Sequence, residues 1–304
     1  FAIPVVSFLV APLALIAAVV PLDAIAVLGH AVVGLLMIPL EWLASWPGAV
    51  WQQHAPVGWT IALAVVGVAW MLAPRGIPAR FVGWPLLAPM FAVLPPQPAA
   101  GAAWIDVLDV GQGLAIVVRT ANHLLVYDTG PRYSIESDAG NRVVVPMLRG
   151  EGARQVDRMI VTHLDADHSG GAMSIAQVLP VGLLMSSLPD THALQSVAPY
   201  RVPCYNGQSW TWDGVRFDVL HPRFDAYHRP VRRTNAMSCV VRISAGPRAV
   251  LLTGDLEEAG ERELLATPSV ALAADIMLVP HHGSRTSSIE PFIEAVAPRI
   301  AIVP

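Results

Sequence analysis

The sequence predicts an α/β domain preceded by an all-α transmembrane region. Three observations carry that prediction. Charge is almost absent from the first third of the 304 residues and ordinary thereafter. From Trp104 onward, short apolar runs alternate with turn residues and helix-like stretches, the signature of layered strands and helices. Several of those runs end in His and Asp groups that can bind a metal.

From Phe1 to Leu94 the only charged side chains are Asp23, Glu41, Arg75 and Arg80. A hydrophobic fraction of 54% and a mean hydropathy of +0.52 exceed what a purely soluble chain carries. Phe1–Val20 has no charge and is long enough to span a bilayer, and Ala24–Leu40 is a second candidate. Glu41–Gly58 mixes Trp42, Trp46, Trp51, Gln52, Gln53 and His54 with proline, the composition of a membrane interface. Trp59–Ala73 is a third apolar run. Phe81–Leu94 is a fourth, short and interrupted by Pro85 and Pro89, and reads as a kinked span or a re-entrant piece. The chain begins with Phe and its apolar stretches run far beyond a leader peptide, so it reads as a fragment of a longer multi-pass membrane protein. The loop holding Arg75 and Arg80 carries the only positive charges of this region. The positive-inside rule puts it in the cytoplasm, which leaves everything after Leu94 outside. The expected organisation is membrane helices over 1–94, a stiff Pro-rich linker over 95–103 and an α/β domain over 104–304.

All 19 basic residues are arginine, and the net charge is −4, which gives no global sign of a polyanion-binding protein. Any nucleic-acid affinity must come from a local patch or from metals. Cys204 and Cys239 form no CxxC and read as two buried small side chains, with a disulfide open to them in an oxidising compartment.

In the second part, Trp104–Asp109, Leu114–Arg119 and His123–Tyr127 read as strands joined by tight turns. Arg158–Val161 is a strand, and Ser169–Leu179 a helix with Ser169 as its cap. Val215–Leu220, Cys239–Ile243, Ala249–Leu252 and Ile276–Val279 are further strands, Leu256–Ala266 a helix, and Arg299–Val303 a final strand.

Four strand ends share one grammar, an apolar run closing on a metal-capable group. They are Tyr127-Asp128-Thr129-Gly130, the run from His163 to His168, Thr253-Gly254-Asp255, and His281-His282-Gly283-Ser284. His163, Asp165, Asp167 and His168 fall within six residues. Gathered on one rim of a sheet, such groups suit one or two divalent metals, with a carboxylate such as Asp255 between them. That chemistry stabilises the attacking and leaving oxygens of a phosphoryl transfer. The segment His221–Arg233 holds four arginines, two histidines and two aromatics; it reads either as a solvated loop or as a contact for single-stranded nucleic acid, with Arg232 and Arg233 then its phosphate contacts.

The order Asp-Val-Gly-Gln-Gly (109–113), Tyr-Asp-Thr-Gly (127–130), His-x-Asp-x-Asp-His-x-Gly-Gly (163–171), Leu-Thr-Gly-Asp (252–255) and Val-Pro-His-His-Gly-Ser (279–284) resembles the metallo-β-lactamase-fold domain of ComEC-type DNA-internalisation proteins. The resemblance covers about Trp104 to Pro304, with the upstream spans matching the end of a channel region, and implies a hydrolase domain over 104–304 that stops short of the family's usual length. It implies an αββα sandwich with the metal site at the sheet edge. It also implies uptake of single-stranded DNA in natural competence at the bacterial inner membrane, alongside other DNA-uptake proteins. An extracytoplasmic, metal-dependent phosphodiesterase would then degrade one strand. Carried over by motif, His163, Asp165, Asp167, His168, Asp255 and His281 would hold zinc or manganese. Asp167 and His168 would serve the chemistry, and Asp128 would support them from behind. His281 is preferred over His282 because the first histidine after the strand is the superfamily's usual ligand; His282 and Ser284 are then substrate contacts. Three departures stand out. Asp165 occupies a position commonly held by histidine, which hardens the site toward manganese. No histidine lies near Asn235–Ser238, and Leu114 replaces an Asp frequent in relatives. A non-catalytic, metal-stabilised cap guiding DNA, or a hydrolase of another ester on the same fold, are the alternatives.

Overall fold

The computed structural model describes residues 2–20, 22–46, 48–74, 76–228, 233–267 and 271–304. The positions of Arg75 and Arg232, used above for orientation and phosphate binding, lie outside the described residues. The chain divides into two compact units, Phe1–Gln52 and Gln53–Pro304.

In the first unit, α1 (Ala2–Val19) and α2 (Asp23–Ala44) are each long and apolar enough to cross a membrane. They run side by side, with Gly29 facing the Leu13 side chain. Their large side chains, such as Phe8, Leu15 and Leu35, are exposed, as lipid-facing residues are. In the second unit, α3 (Gly58–Met71) has 14 residues, about 21 Å of helix against a hydrocarbon core of about 30 Å. The fourth apolar run is not one helix: short turns at Arg80–Gly83 and Pro85–Leu87 lead into α4 (Ala88–Ala92). Pro85 and Pro89 each occupy a first-turn position, where the missing N–H costs nothing and the helix cannot extend backward.

The remainder is a four-layer sandwich. One sheet holds β1 (Trp104–Val107), β2 (Ala115–Arg119), β3 (Leu124–Thr129), β4 (Val156–Val161), β5 (Val181–Ser186) and β6 (Tyr200–Pro203) in that order. The other runs β12 (Ile300–Ile302), β11 (Ile276–Leu278), β10 (Arg248–Leu252), β9 (Val240–Ala245), β8 (Val215–His221), β7 (Ser209–Trp212). Strands β3 to β6 are mutually parallel, as are β10 to β12.

The two-residue period of a strand sorts each sheet's side chains to opposite faces. Ile116, Val118, Leu125 and Tyr127 face the other sheet and pack with Phe217, Val219 and Val241. Ala115, Val117, Leu124 and Val126 face outward, under helices that contribute Leu148 and Ile175. On the far side Leu251 and Met277 are covered by Leu264, Phe292 and Val296. Each such buried aliphatic or aromatic side chain contributes about 1.5–3 kcal/mol relative to exposure.

Three expectations are corrected here. The helix expected over Ser169–Leu179 is split into Ala166–Ser169 and Ala172–Val178. The break falls at Gly170-Gly171, where the backbone presses against neighbouring strand and loop: a Cβ on Gly171 would overlap the Thr129 carbonyl oxygen and the Gly140 nitrogen. Ser169 is no cap; its hydroxyl donates to the Asp165 carbonyl at 3.0 Å. Cys204 and Cys239 are not separate small side chains but a disulfide, both buried, with Cα atoms 6.0 Å apart. It ties the end of β6 in one sheet to the start of β9 in the other. Strands β5, β6 and β7 were not expected: Gly182 interrupts β5, Pro203 closes β6, and β7 alternates over only four residues.

Candidate metal centre

The carboxyl ends of β3, β4, β10 and β11 meet on one rim, the edge at which open α/β sheets collect their ligands. Each contributes through a local device. Asp128, near the end of β3, adopts φ +56°, a left-handed conformation that Asp tolerates better than most residues. Its carboxylate is wholly buried. It accepts bonds from the Thr162 N–H and hydroxyl at 2.8 Å each and from His168 Nδ1 at 2.7 Å. After β4, His163 leads into a turn in which the Asp165 carbonyl accepts the His168 and Ser169 N–H groups. That turn opens the short helix carrying Asp167 and His168. Gly113, at φ +140° and lying against the Asp167 carbonyl, lets the chain after β1 approach this helix. After β10, Gly254 turns the chain so that Asp255 points back to the rim. After β11, His281 and His282 both take positive φ, 50° and 51°, a strained pair of the kind found at functional sites.

The result is a tight group. One ligand atom each from Asp167, His168, Asp255 and His282 lie within 4.8 Å of one another. His168 Nε2 stands 3.1 Å from Asp255 Oδ1, and His282 Nε2 is 3.5 Å from Asp255 Oδ1 and 3.6 Å from Asp167 Oδ2. His163 Nε2 lies 3.6 Å from Asp165 Oδ2, and its ring centroid is 4.2 Å from that of His168. The Nε2 atoms of His163, His168 and His282 are all buried and make no hydrogen bond. Buried polar atoms are normally satisfied. Three orphaned imidazole nitrogens facing three carboxylates are donors of a type that suits a divalent cation.

The electrostatics agree. Burial works against a charged His168, yet Asp128 and Asp255 outweigh it and raise His168 to about 10. Burial, then the charge of His168, push His163 down. The contact with His282 lowers Asp167 to about 2. The same contact, against partial burial, raises His282. Burial opposes ionisation of Asp255, but His168 holds its carboxyl below the ordinary value. The rim is built to stabilise positive charge at its centre.

Of the residues singled out from sequence, Asp167, His168 and Asp255 come together, with His163 and Asp165 beside them and Asp128 behind His168. His282, not His281, completes the tight group. His281 turns its Nδ1 to the Thr286 hydroxyl at 2.9 Å and its Nε2 toward Asn235 at 3.4 Å, reaching Asp255 Oδ2 only at 3.8 Å. The consecutive left-handed residues, which no spacing rule reveals, exchange the two rings. Ser284 contacts Thr286 at 3.2 Å, outside the tight group. Arg233 is exposed and paired with Glu257 at 3.2 Å. Thr162, Thr234, Glu257 and Thr286 were missed. Thr234 donates to Asp165 Oδ1 at 2.6 Å. Glu257, two residues past Asp255, was the one with a sequence signal.

The family model described as the metallo-beta-lactamase superfamily matches residues 108–304. Competence protein ComA of Neisseria gonorrhoeae is 33% identical over 301 residues, covering 99% of this chain and 41% of that protein. Recombination protein 2 of Haemophilus influenzae is 35% identical over 200 residues, covering 66% of this chain and 24% of that protein. The chain thus spans less than half the length of these relatives. Among solved structures, the diiron β-hydroxylase CmlA of Streptomyces venezuelae aligns with TM-score 0.44 at 14% identity over 71% of this chain and 47% of that one. The αββα sandwich with its rim of His and Asp, together with the family match, places the chain in the metallo-β-lactamase superfamily.

Proposed function

We propose that this chain is part of a DNA-uptake protein of natural competence, in which the sandwich is a metal-dependent phosphodiesterase that degrades one DNA strand outside the cytoplasm. The observation that carries the metal-dependent chemistry is the set of three buried, unpartnered Nε2 atoms on His163, His168 and His282, facing Asp165, Asp167 and Asp255. The names of the relatives supply the link to competence. The apolar helices α1 and α2 support a multi-pass place in the bacterial inner membrane. The buried Cys204–Cys239 disulfide supports an oxidising, extracytoplasmic side for the sandwich.

His168, Asp255, Asp167 and His282 would hold a zinc or manganese ion, with His163 and Asp165 available to a second. Such an ion, when bound, supplies Lewis-acid charge for phosphate oxygens and lowers the pKa of water. The chain's own residues do the rest. Asp128 Oδ2 accepts the Nδ1 proton of His168, which fixes the ring and leaves Nε2 turned to the rim. Thr162 Oγ1, 2.9 Å from His163 Nδ1, orients the second ring in the same way. Asp167, held low by His282, is ionised at neutral pH and accepts a proton rather than giving one. Single-stranded DNA is the partner this reading requires.

The test uses the full chain in detergent with labelled single-stranded DNA, manganese or zinc, and a chelator control. Metal-dependent cleavage that disappears in Asp167→Ala is the expected outcome. Cleavage that persists in the chelator, or at full rate in Asp167→Ala, refutes the mechanism. A second reading, a metal-stabilised cap that guides DNA without cutting it, is favoured by Asn235. That residue stands near His281 where the superfamily commonly supplies another ring. Metal binding without cleavage is its signature.

A further inference from the structure

A cavity opens on the same rim. It has a volume of about 600 Å³ and is walled by the ends of β5 and β6 and by the turn Phe224–His228. That size is in the range of small-molecule sites. Its distance from the metal centre follows from the sheet register. Val161, Ser186 and Pro203 lie side by side on three parallel strands, and His163 follows two residues after Val161. Two strand spacings put the cavity about 10 Å from the His163 end of the centre.

The lining has a specific chemistry. Phe224 is 53% exposed on the cavity lining, its ring edge-to-face with Tyr205 at 5.0 Å and with His228 at 5.7 Å between centroids. Tyr227 anchors the turn beneath it by donating to the Cys204 carbonyl at 2.6 Å. Gln195 is held at the wall by bonds from its Nε2 to the Leu188 and Pro189 carbonyls at 3.2 and 3.3 Å. Arg201 and Asp190 are exposed on the lining, and among the described residues their side chains have no hydrogen bond or ion pair. Their charges cancel, so the cavity offers a phosphate little net attraction. What it offers is one strong donor, one strong acceptor and a ring to stack on. A nucleobase edge carries donors and acceptors together, and every base has a π-face.

We propose that this cavity binds a nucleobase of the single strand, beside the phosphate engaged at the metal centre. The proposal rests on the reading of the rim as a DNA-processing site. Phe224 stacks on the base, Arg201 and Asp190 meet its polar edge, and the strand runs from the cavity across the ends of β5 and β4 to the histidines. The cavity thereby registers the strand at the centre through its bases, where the arginines of a phosphate track would not.

The test measures binding of two fluorescent probes to the full chain in detergent, with chelator present to suppress cleavage. One probe is oligothymidylate, the other an abasic phosphodiester strand of the same length. Phe224→Ala is expected to weaken oligothymidylate binding about tenfold while changing the abasic strand by less than about twofold. Phe224→Trp, which keeps a stacking face, is expected to restore it. Equal losses on both probes, or no loss on oligothymidylate, overturn the proposal. Cleavage is scored separately with manganese. Absent cleavage with base-dependent binding removes the phosphodiesterase and keeps the cavity. Cleavage with base-independent binding removes the cavity alone.

Discussion

Replacing Asp128 by Asn tests how the rim prepares His168 for a metal. Asp128 and His168 are both fully buried, so the 2.7 Å contact between Oδ2 and Nδ1 is unscreened by water. The carboxylate can accept all of its bonds because it is acceptor-only. Asn keeps the shape but puts an NH₂ on one side. Turned toward Thr162, the NH₂ faces a backbone donor; turned toward His168, it faces the Nδ1 proton. The second arrangement forces the proton to Nε2, the atom that must face the cation. A hydrogen bond to a charged group contributes about 1.5–3 kcal/mol, which corresponds to a roughly 10- to 150-fold loss in metal affinity. Outer partners of histidine ligands generally cost about 10–100-fold when removed. Calorimetric titration of the chelator-stripped chain with manganese and zinc reads the loss directly, and a thermal melt without metal reports whether the variant is folded. The same variant alters the pH profile of the metal-free protein. His168 is raised from 6.5 to about 10 in the fold, so its stabilisation is complete below about 6.5 and is lost as pH rises through about 10. Asp128→Asn is expected to remove much of that slope. A folded Asp128→Asn protein that binds metal within about twofold of the original, with an unchanged alkaline profile, refutes the reasoning.

Two predictions concern the scaffold. Gly171→Ala is expected to cost about 1–3 kcal/mol or more, measured by denaturant unfolding, because the atoms its Cβ would meet are backbone and cannot swing aside; a loss below about 0.5 kcal/mol means the Gly170-Gly171 contact is slack. Replacing both Cys204 and Cys239 by Ser is expected to remove about 2–4 kcal/mol, since the bridge closes a loop with sequence separation 35 between the two sheets. Equal melting temperatures with and without reductant would argue that the thiols are not joined in the native protein.

The sandwich was legible from Trp104 onward wherever strands are apolar runs bounded by turn residues. β2, β3 and β4 show it because one face of each meets the other sheet and the opposite face meets helices, so both faces are buried and the run is apolar throughout. It was not legible at β5 to β7, where glycine, proline and edge position loosen the pattern. The site was legible as types and positions, because His163, Asp165, Asp167 and His168 sit so close in sequence that any fold keeps them near one another. Asp128 also followed from its motif.

By itself the sequence determined the two-part character of the chain, the superfamily grammar of its strand ends and the donor types of the rim. These are local properties: apolar runs, turn residues and short spacings act over a few residues and leave their mark in order. The tertiary structure alone decided that His282 rather than His281 enters the tight group, through two left-handed residues in succession. It decided that Cys204 and Cys239 meet across the sheets, that Thr162 and Thr234 bond His163 and Asp165, and that Glu257 approaches His281. It also opened the cavity beneath Phe224, whose walls come from segments far apart along the chain. Those outcomes depend on the direction in which a backbone turns and on which distant strands become neighbours, and no periodicity along one chain records either.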